Sequence, residues 1–169
     1  MPWGTPAEKR DRAVIAFTIL SGARDGALAS FRLKHVELAA RTIFQNGRDV
    51  KTKGRKTLTS SFFPVGPEPL AIVADYLRML TQELGFGPDE PLFPSTLMAH
   101  DTDRNHVAQG LSRKPWSGAQ PVRRILAKAF AAGTARLQPA FAAQDAGAVW
   151  GKAQADPGTR ESLFNEFRP

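Results

Sequence analysis

The sequence predicts an α+β domain in which helices pack on a small three-stranded antiparallel sheet, followed by a poorly structured C-terminal tail. Three observations predict this class. Apolar residues recur at three- and four-residue steps near the start of the chain and over Pro69–Leu84, as in amphipathic helices. β-forming residues alternate with turn signals over residues 41–63. Residues 134–169 sustain neither period, so we expect a tail there after a single domain over residues 1–133.

The first helix is expected to begin at Pro6. Thr5–Glu8 (TPAE) is a capping-box sequence with proline at the first helical position. Ser21-Gly22 ends this helix, and a short second helix is expected over Asp25–Phe31, with Arg24 at its electropositive start. The apolar face of the first helix consists of Val14, Ile15, Phe17, Ile19 and Leu20.

The middle of the domain predicts a three-stranded antiparallel meander. Arg41–Phe44 contains strong β formers, and Asn46-Gly47 is a strong hairpin signal. Val50–Thr52 is expected to pair back as the second strand. After a turn at Lys53–Lys56, Thr57–Phe63 is expected to form the third strand.

The rest of the domain predicts two helices and a loop. Pro69–Leu84 has the clearest helical period in the chain. Pro91–Pro94 and the polar stretch Ser95–Arg113 predict a long loop that is partly packed through its first apolar residues. A last helix is expected to begin at Pro121 and to close at Ala131–Gly133.

Composition restricts the function classes. The formal net charge of +7 is typical of chains that bind nucleic acid, although the same charge also serves solubility. The absence of cysteine excludes disulfides, thiolate zinc sites and a cysteine nucleophile. Without a Gly-x-Ser-x-Gly motif, a phosphate-binding P-loop or paired ligand spacing among His35, His100 and His106, we expect no metal and no small-molecule cofactor. Neither an export signal nor a long apolar run is found, which predicts a cytoplasmic protein with no membrane partner.

Two basic residues are suited to a phosphodiester. Arg24 follows a tight turn at a helix start, and Lys53 lies at the tip of a basic hairpin. Arginine offers a planar fork for two phosphate oxygens, and lysine offers a point charge and a proton. The alternatives are a surface Arg24 that pairs with Asp25, and a solvated Lys53 whose place is taken by Lys51 or Lys56.

Three segments in order resemble the tyrosine recombinase (phage integrase) family. Leu20–Leu28 (LSGARDGAL) is similar to its T-G-x-R box, and Leu33–Val36 follows where the family enters its first strand. Val50–Lys56 (VKTKGRK) with Phe63–Val65 is similar to its β-hairpin, and Pro91–Pro94 (PLFP) to its short LF segment. The resemblance covers about residues 6–133 and implies the fold of the family's catalytic domain.

The resemblance also implies roles for individual residues. Arg24 would clamp the scissile phosphate, and Lys53 would protonate the departing 5′ oxygen. Double-stranded DNA would be held by Arg24 and by the basic residues of the hairpin, which are Arg48, Lys51, Lys53, Arg55 and Lys56. The family usually has an acidic residue three positions after its first arginine, where this chain has Ala27. Asp25 is the candidate substitute that would support Arg24.

The family's remaining catalytic residues are a His-x-x-Arg pair, a further His or Trp, and a tyrosine nucleophile near the C-terminus. None of them can be placed in this sequence. No histidine is followed by arginine at the third position, and Trp150 is the one candidate for the further His or Trp. The single tyrosine, Tyr76, lies in the Pro69–Leu84 helix, upstream of where the nucleophile belongs. We interpret it as a helix-surface or core-edge residue with its hydroxyl in water.

The tail suggests a change of reading frame. Codons can be chosen for residues 140–146 so that a one-nucleotide shift reads His-Ser-Leu-Arg-Lys-Thr-Leu, which contains the missing His-x-x-Arg box. The hypothesis is therefore a DNA integration and recombination protein, truncated with respect to the family, that binds double-stranded DNA and other recombinase protomers but cannot cleave DNA by itself. The alternative is a non-catalytic DNA-binding protein that competes with an intact integrase. An RNA-associated protein is disfavoured because the basic segments lack interleaved aromatic residues.

Overall fold

The computed structural model describes residues 4–102 and 104–142, with the side chains of residues 4–52, 54–102 and 104–133. Residues up to Ala127 form one compact unit, and a second unit starts at Lys128. The helices are α1 (Pro6–Ser21), α2 (Asp25–Leu28), α3 (Pro67–Arg78) and α4 (Gln120–Ala142). The strands are β1 (Val36–Glu37), β2 (Thr42–Gln45), β3 (Leu58–Ser61), β4 (Pro94–His100) and β5 (His106–Pro115). The predicted α+β class is confirmed.

The capping box of α1 is confirmed. The Glu8 amide donates to Thr5 Oγ1 at 3.3 Å, and the Thr5 amide donates to Glu8 Oε2 at 2.8 Å. Val14, Phe17 and Leu20 are buried as expected, and α1 packs against α3. Ile19 was also assigned to the apolar face, but it is 47% exposed. The buried stripe of α1 is therefore narrower than the sequence pattern predicted.

The chain reverses direction directly after α1. Gly22 adopts the left-handed conformation with φ +58°, and its amide donates to Thr18 O. The short helix α2 ends at Leu28, three residues earlier than expected, yet Phe31 is still buried as predicted. A 3-10 turn over Leu33–His35 then leads into β1.

The three-stranded antiparallel sheet has the order β1-β2-β3, with Ile43 paired to Val36 on one side and to Ser60 on the other. The prediction that Val50–Thr52 is a strand was wrong. The Val50 amide donates to Asn46 O at 2.8 Å within a turn, and its side chain is buried in the core. The Lys51 amide donates to the Ser30 hydroxyl instead of to a neighbouring strand.

The second half of the domain contains a two-stranded sheet that the sequence analysis missed. Helix α3 begins at Pro67, slightly earlier than predicted, and continues as a π-helical turn over Met79–Glu83. The stretch expected to be a long loop, Ser95–Arg113, instead forms most of the antiparallel pair β4-β5. Leu97 and Val107 remain exposed in this pair, so the alternation of buried and exposed residues that identifies a strand is weak.

Helix α4 also departs from the prediction. It continues to Ala142 instead of closing at Gly133, because a single glycine inside a helix costs only about 1 kcal/mol. Residues 134–142, within the stretch expected to be a tail, continue this helix, whereas residues 143–169, with Trp150, lie outside the described residues. None of the helices in the described ranges combines the length and the hydropathy of a membrane span.

The turn at Gly22 gives a test of the fold. A Cβ atom at Gly22 would lie 2.9 Å from the Phe63 ring, and L residues disfavour its left-handed φ. We expect Gly22→Ala to lower the free energy of unfolding by about 1–2 kcal/mol, measured by urea denaturation. Gly118→Ala is the control, because a Cβ there meets no atom within 4 Å. Equal stability of the two variants would contradict the strained turn.

Candidate functional site

A cleft of about 550 Å³ opens between the turn after α1 and the basic segment that follows β2. One wall consists of residues 21–24 and Ala27. The sheet contributes Gln45, Leu58 and Ser60, and the segment between β2 and β3 contributes Lys51, Thr52, Gly54 and Lys56. Three cations from two distant parts of the sequence therefore line one concave surface.

Arg24 lies at the start of α2, as predicted, with an exposed side chain in the cleft. In the described part of the chain its guanidinium makes no hydrogen bond or ion pair. The alternative in which Arg24 pairs with Asp25 is not observed. Asp25 instead accepts from the Gly26 amide at 2.7 Å and pairs with Arg123, whose hydrogen bond holds the pKa of Asp25 below its ordinary value. Asp25 is therefore not the support for Arg24 that was considered.

The predicted hairpin residues fall into two groups. Lys51 and Lys56 line the cleft, whereas Arg48 and Arg55 are exposed but do not line it. The backbone of Lys53 begins a tight 3-10 turn, in which Gly54 and Arg55 have positive φ angles of 68° and 53°. The side chain of Lys53 lies outside the described residues.

A close approach of two backbone segments shapes this turn region. A Cβ atom at Gly47 would lie 2.0 Å from Arg55 O, so no larger residue fits there without displacing the backbone. The Gly47 amide also donates to Thr57 Oγ1 at 3.1 Å, and Thr52 Oγ1 donates to Lys56 O at 2.9 Å. These contacts hold the basic segment in a compact conformation beside the cleft.

A charged network anchors the start of the basic segment. The Lys34 ammonium lies 3.3 Å from Asp49 Oδ2 and 2.8 Å from Asp89 Oδ1. Hydrogen bonding to Lys34 lowers the pKa of both carboxyl groups, and the same bonds raise the pKa of Lys34. Asp49 is thus tied to the segment that follows α2.

His35 lies beneath this network and is 2% exposed. Its Nδ1 accepts a hydrogen bond from the Arg32 amide at 2.9 Å, which places the proton of the neutral ring on Nε2. Nε2 has no hydrogen-bond partner among the described residues and lies 3.7 Å from Asp49 Oδ2. Burial lowers the pKa of His35, and the Lys34 charge lowers it further.

The interpretation of Tyr76 as a residue with its hydroxyl in water was wrong. Tyr76 is 2% exposed, and its hydroxyl donates to Leu92 O at 2.9 Å. Burial raises the pKa of this hydroxyl far above its ordinary value. A buried, neutral and hydrogen-bonded phenol is poorly suited to attack DNA.

The cleft has the chemistry of an anion site. Guanidinium and ammonium groups bind phosphate oxygens through charge-assisted hydrogen bonds. Among the described lining residues there is no His, Asp or Glu that could act as a general base. The hydroxyl of Ser21 donates to Phe17 O at 2.6 Å and is buried, so it is also an unsuitable nucleophile. The described lining residues therefore offer donors for an anion but no carboxylate or imidazole.

Two histidines in which the sequence showed no paired spacing, His100 and His106, are neighbours on the second sheet. His100 and His106 are paired across β4 and β5, with ring centroids 4.4 Å apart. Their separation of six residues gave no ligand signal, because the intervening hairpin had been taken for a loop. Within the described ranges, no group of three or more His, Asp or Glu side chains could hold a metal ion.

Comparison with known proteins adds no family assignment, since neither a family model nor a curated protein matches the chain.

The burial of His35 predicts a dependence of stability on pH. Because its folded-state pKa lies below the ordinary value of 6.5, protonation favours the unfolded chain. This contribution is complete above about pH 6.5 and is lost as the pH falls toward the lower pKa of the folded state. We expect the urea-derived free energy of unfolding to decrease between pH 7.5 and 5.0.

The control compares a buried with an exposed histidine. His35→Gln should remove most of this pH dependence, whereas His100→Gln, the same replacement at an exposed position, controls for the substitution itself. The carboxyl groups with lowered pKa values titrate below this window. A wild-type free energy of unfolding that is constant over the window would contradict the assignment.

Proposed function

We propose that this chain is a DNA-binding protein of the tyrosine recombinase (phage integrase) type, acting in DNA integration and recombination. The observation that carries the proposal is the cleft, in which Arg24 shares one surface with Lys51 and Lys56. Arg24 belongs to the segment similar to the family's T-G-x-R box. The two lysines belong to the segment similar to its β-hairpin.

The proposed ligand is a phosphodiester of double-stranded DNA. Arg24 would bind two phosphate oxygens with its planar fork, and the lysines would add positive charge from the opposite side. Lys53, in the turn between them, is the proposed proton donor to the 5′ oxygen in a complete recombination site. Arg48 and Arg55, which do not line the cleft, would attract neighbouring phosphates at longer range than the two lysines do.

The proposal extends to the fold. The order of elements supports it: a helix, the arginine turn, a three-stranded sheet with the lysine turn, a long helix and the buried Leu92-Phe93 segment. This order is the one the resemblance implies for the catalytic domain of the family. The two-stranded sheet β4-β5 would then follow the LF segment.

A second candidate function is a non-catalytic DNA-binding protein that competes with an intact integrase. The burial of Tyr76 and the absence of a base among the described lining residues favour it. Both candidates bind DNA through the same cleft. They differ in whether other recombinase protomers supply the nucleophile.

The binding proposal is tested by the salt dependence of DNA affinity. Each phosphate contact contributes about 0.9 to the slope of log K against log salt for duplex DNA. Replacing Lys51 and Lys56 together with Gln should therefore reduce the magnitude of the slope by about two units. The measurement is fluorescence anisotropy with duplex DNA over a series of salt concentrations.

The matched control removes the same charge from the same hairpin outside the cleft. Arg48→Gln with Arg55→Gln should reduce the slope less than the lysine pair does. If the two pairs have equal effects, the phosphates are held by the hairpin surface and not by the cleft. If neither variant nor Arg24→Gln changes the affinity, the cleft does not bind DNA.

Strand cleavage is tested separately with a nicked suicide substrate. We expect no covalent protein-DNA adduct from the chain alone, because Tyr76 is buried and bonded to Leu92 O. Tyr76→Phe should lose about 1 kcal/mol of stability, the net value of one hydrogen bond, without changing DNA affinity. An adduct that disappears in Tyr76→Phe would identify Tyr76 as the nucleophile and refute this assignment.

A further inference from the structure

We propose that Ser30 is a positioning residue that holds Lys51 opposite Arg24, and this inference rests on the proposed function. The Ser30 hydroxyl bonds to two residues that line the cleft, Ala27 and Lys51. It accepts a hydrogen bond from the Lys51 amide at 2.9 Å. It also lies 3.0 Å from Gly26 O and 3.0 Å from Ala27 O, to which it donates its own proton.

Of the three partners of Ser30, Ala27 and Lys51 line the cleft, and Gly26 is the neighbour of Ala27 in α2. Gly26 and Ala27 lie in α2, the helix that begins directly after Arg24, and Leu28 in the same helix donates to Arg24 O at 2.9 Å. The Lys51 amide belongs to the segment between β2 and β3 that also lines the cleft. A single hydroxyl therefore links the helix after the arginine to the backbone of the lysine.

The link needs a hydroxyl group. Ser30 must accept from an amide and donate to a helix carbonyl at the same time, and a hydroxyl can do both. Alanine can do neither, and it would leave the exposed Lys51 amide to water. Ser30→Ala would therefore change the position of Lys51 relative to Arg24. It would not change the net charge, because serine and alanine are both uncharged.

The two residues that precede Lys51, Asp49 and Val50, are also held in place. Val50 is 2% exposed, and the preceding Asp49 is bonded to Lys34. The segment is thus held in the core at Val50 and by charge at Asp49, while Ser30 holds the residue next to the cleft. Loss of Ser30 should consequently loosen Lys51 without unfolding the domain.

The first measurement is amide hydrogen exchange by NMR on the full chain. Ser30→Ala should accelerate exchange of the Lys51 amide, and Ser30→Thr should restore protection because it keeps the hydroxyl. Thr81→Ala is the matched control, since the Thr81 hydroxyl also bonds carbonyls three and four residues back, those of Arg78 and Leu77. An unchanged Lys51 exchange rate in Ser30→Ala would overturn the proposal.

The second measurement is a double-mutant cycle on duplex DNA affinity. Ser30→Ala should weaken binding about three- to tenfold, the range expected for one lost hydrogen bond. In a Lys51→Ala background the same substitution should have no further effect, because the positioned side chain is already absent. Independent, multiplying effects would overturn the positioning role, since a general structural defect behaves in that way.

The two proposals fail in different ways. If the wild-type chain does not bind duplex DNA, the proposed function fails, and the Lys51 exchange rate alone decides whether Ser30 holds the basic segment. If the wild-type chain binds and only the cycle shows no coupling, the proposed function stands and Ser30 is not a positioning residue.

Discussion

The packing of Phe17 is the interaction on which the rest of the domain depends. Its fully buried ring meets three others edge to face, at centroid distances of 5.7 Å to Phe31, 5.9 Å to Phe62 and 5.6 Å to Phe93. Such pairs each contribute about 0.5–1.5 kcal/mol beyond area burial. Phe31 follows α2, Phe62 follows β3 and Phe93 precedes β4. One helical residue therefore contacts the segments that follow α2, follow β3 and precede β4.

The positive character of the cleft follows from how nearby acids are occupied. Asp25 is paired with Arg123, and Asp49 with Lys34, so neither carboxylate is directed at Arg24 or Lys51. None of the described residues that line the cleft is an acid that could pair with its cations. Pairing these cations with acids would add little stability at an exposed site and would reduce the positive potential of the cleft.

Sequence reasoning succeeded where the signal is local. The capping box and the glycine turn at Gly22 depend on neighbouring residues, and both were predicted correctly. The local pattern of Val50–Thr52 resembles that of a strand. Its Lys51 amide instead donates to Ser30, which lies 21 residues earlier in the chain, and a local pattern cannot predict so distant a partner. The pair β4-β5 was missed because exposed Leu97 and Val107 obscure its alternation. In both segments, contacts between residues distant in sequence determine whether a strand forms.

The candidate site shows the same division between local and distant information. The position of Arg24 at a helix start after a tight turn could be predicted, because the turn and the helix start are adjacent in sequence. The lysines were not distinguishable in this way, since Gly54 and Arg55 in left-handed conformation change the direction of successive side chains within the turn. Tyr76 is a second example of information that only the structure provides. The sequence interpretation disqualified it as nucleophile by position, whereas the structure does so by burial and by its bond to Leu92 O. Reaching that hydroxyl would require α3 to separate from the core, because Tyr76 lies on the buried side of that helix.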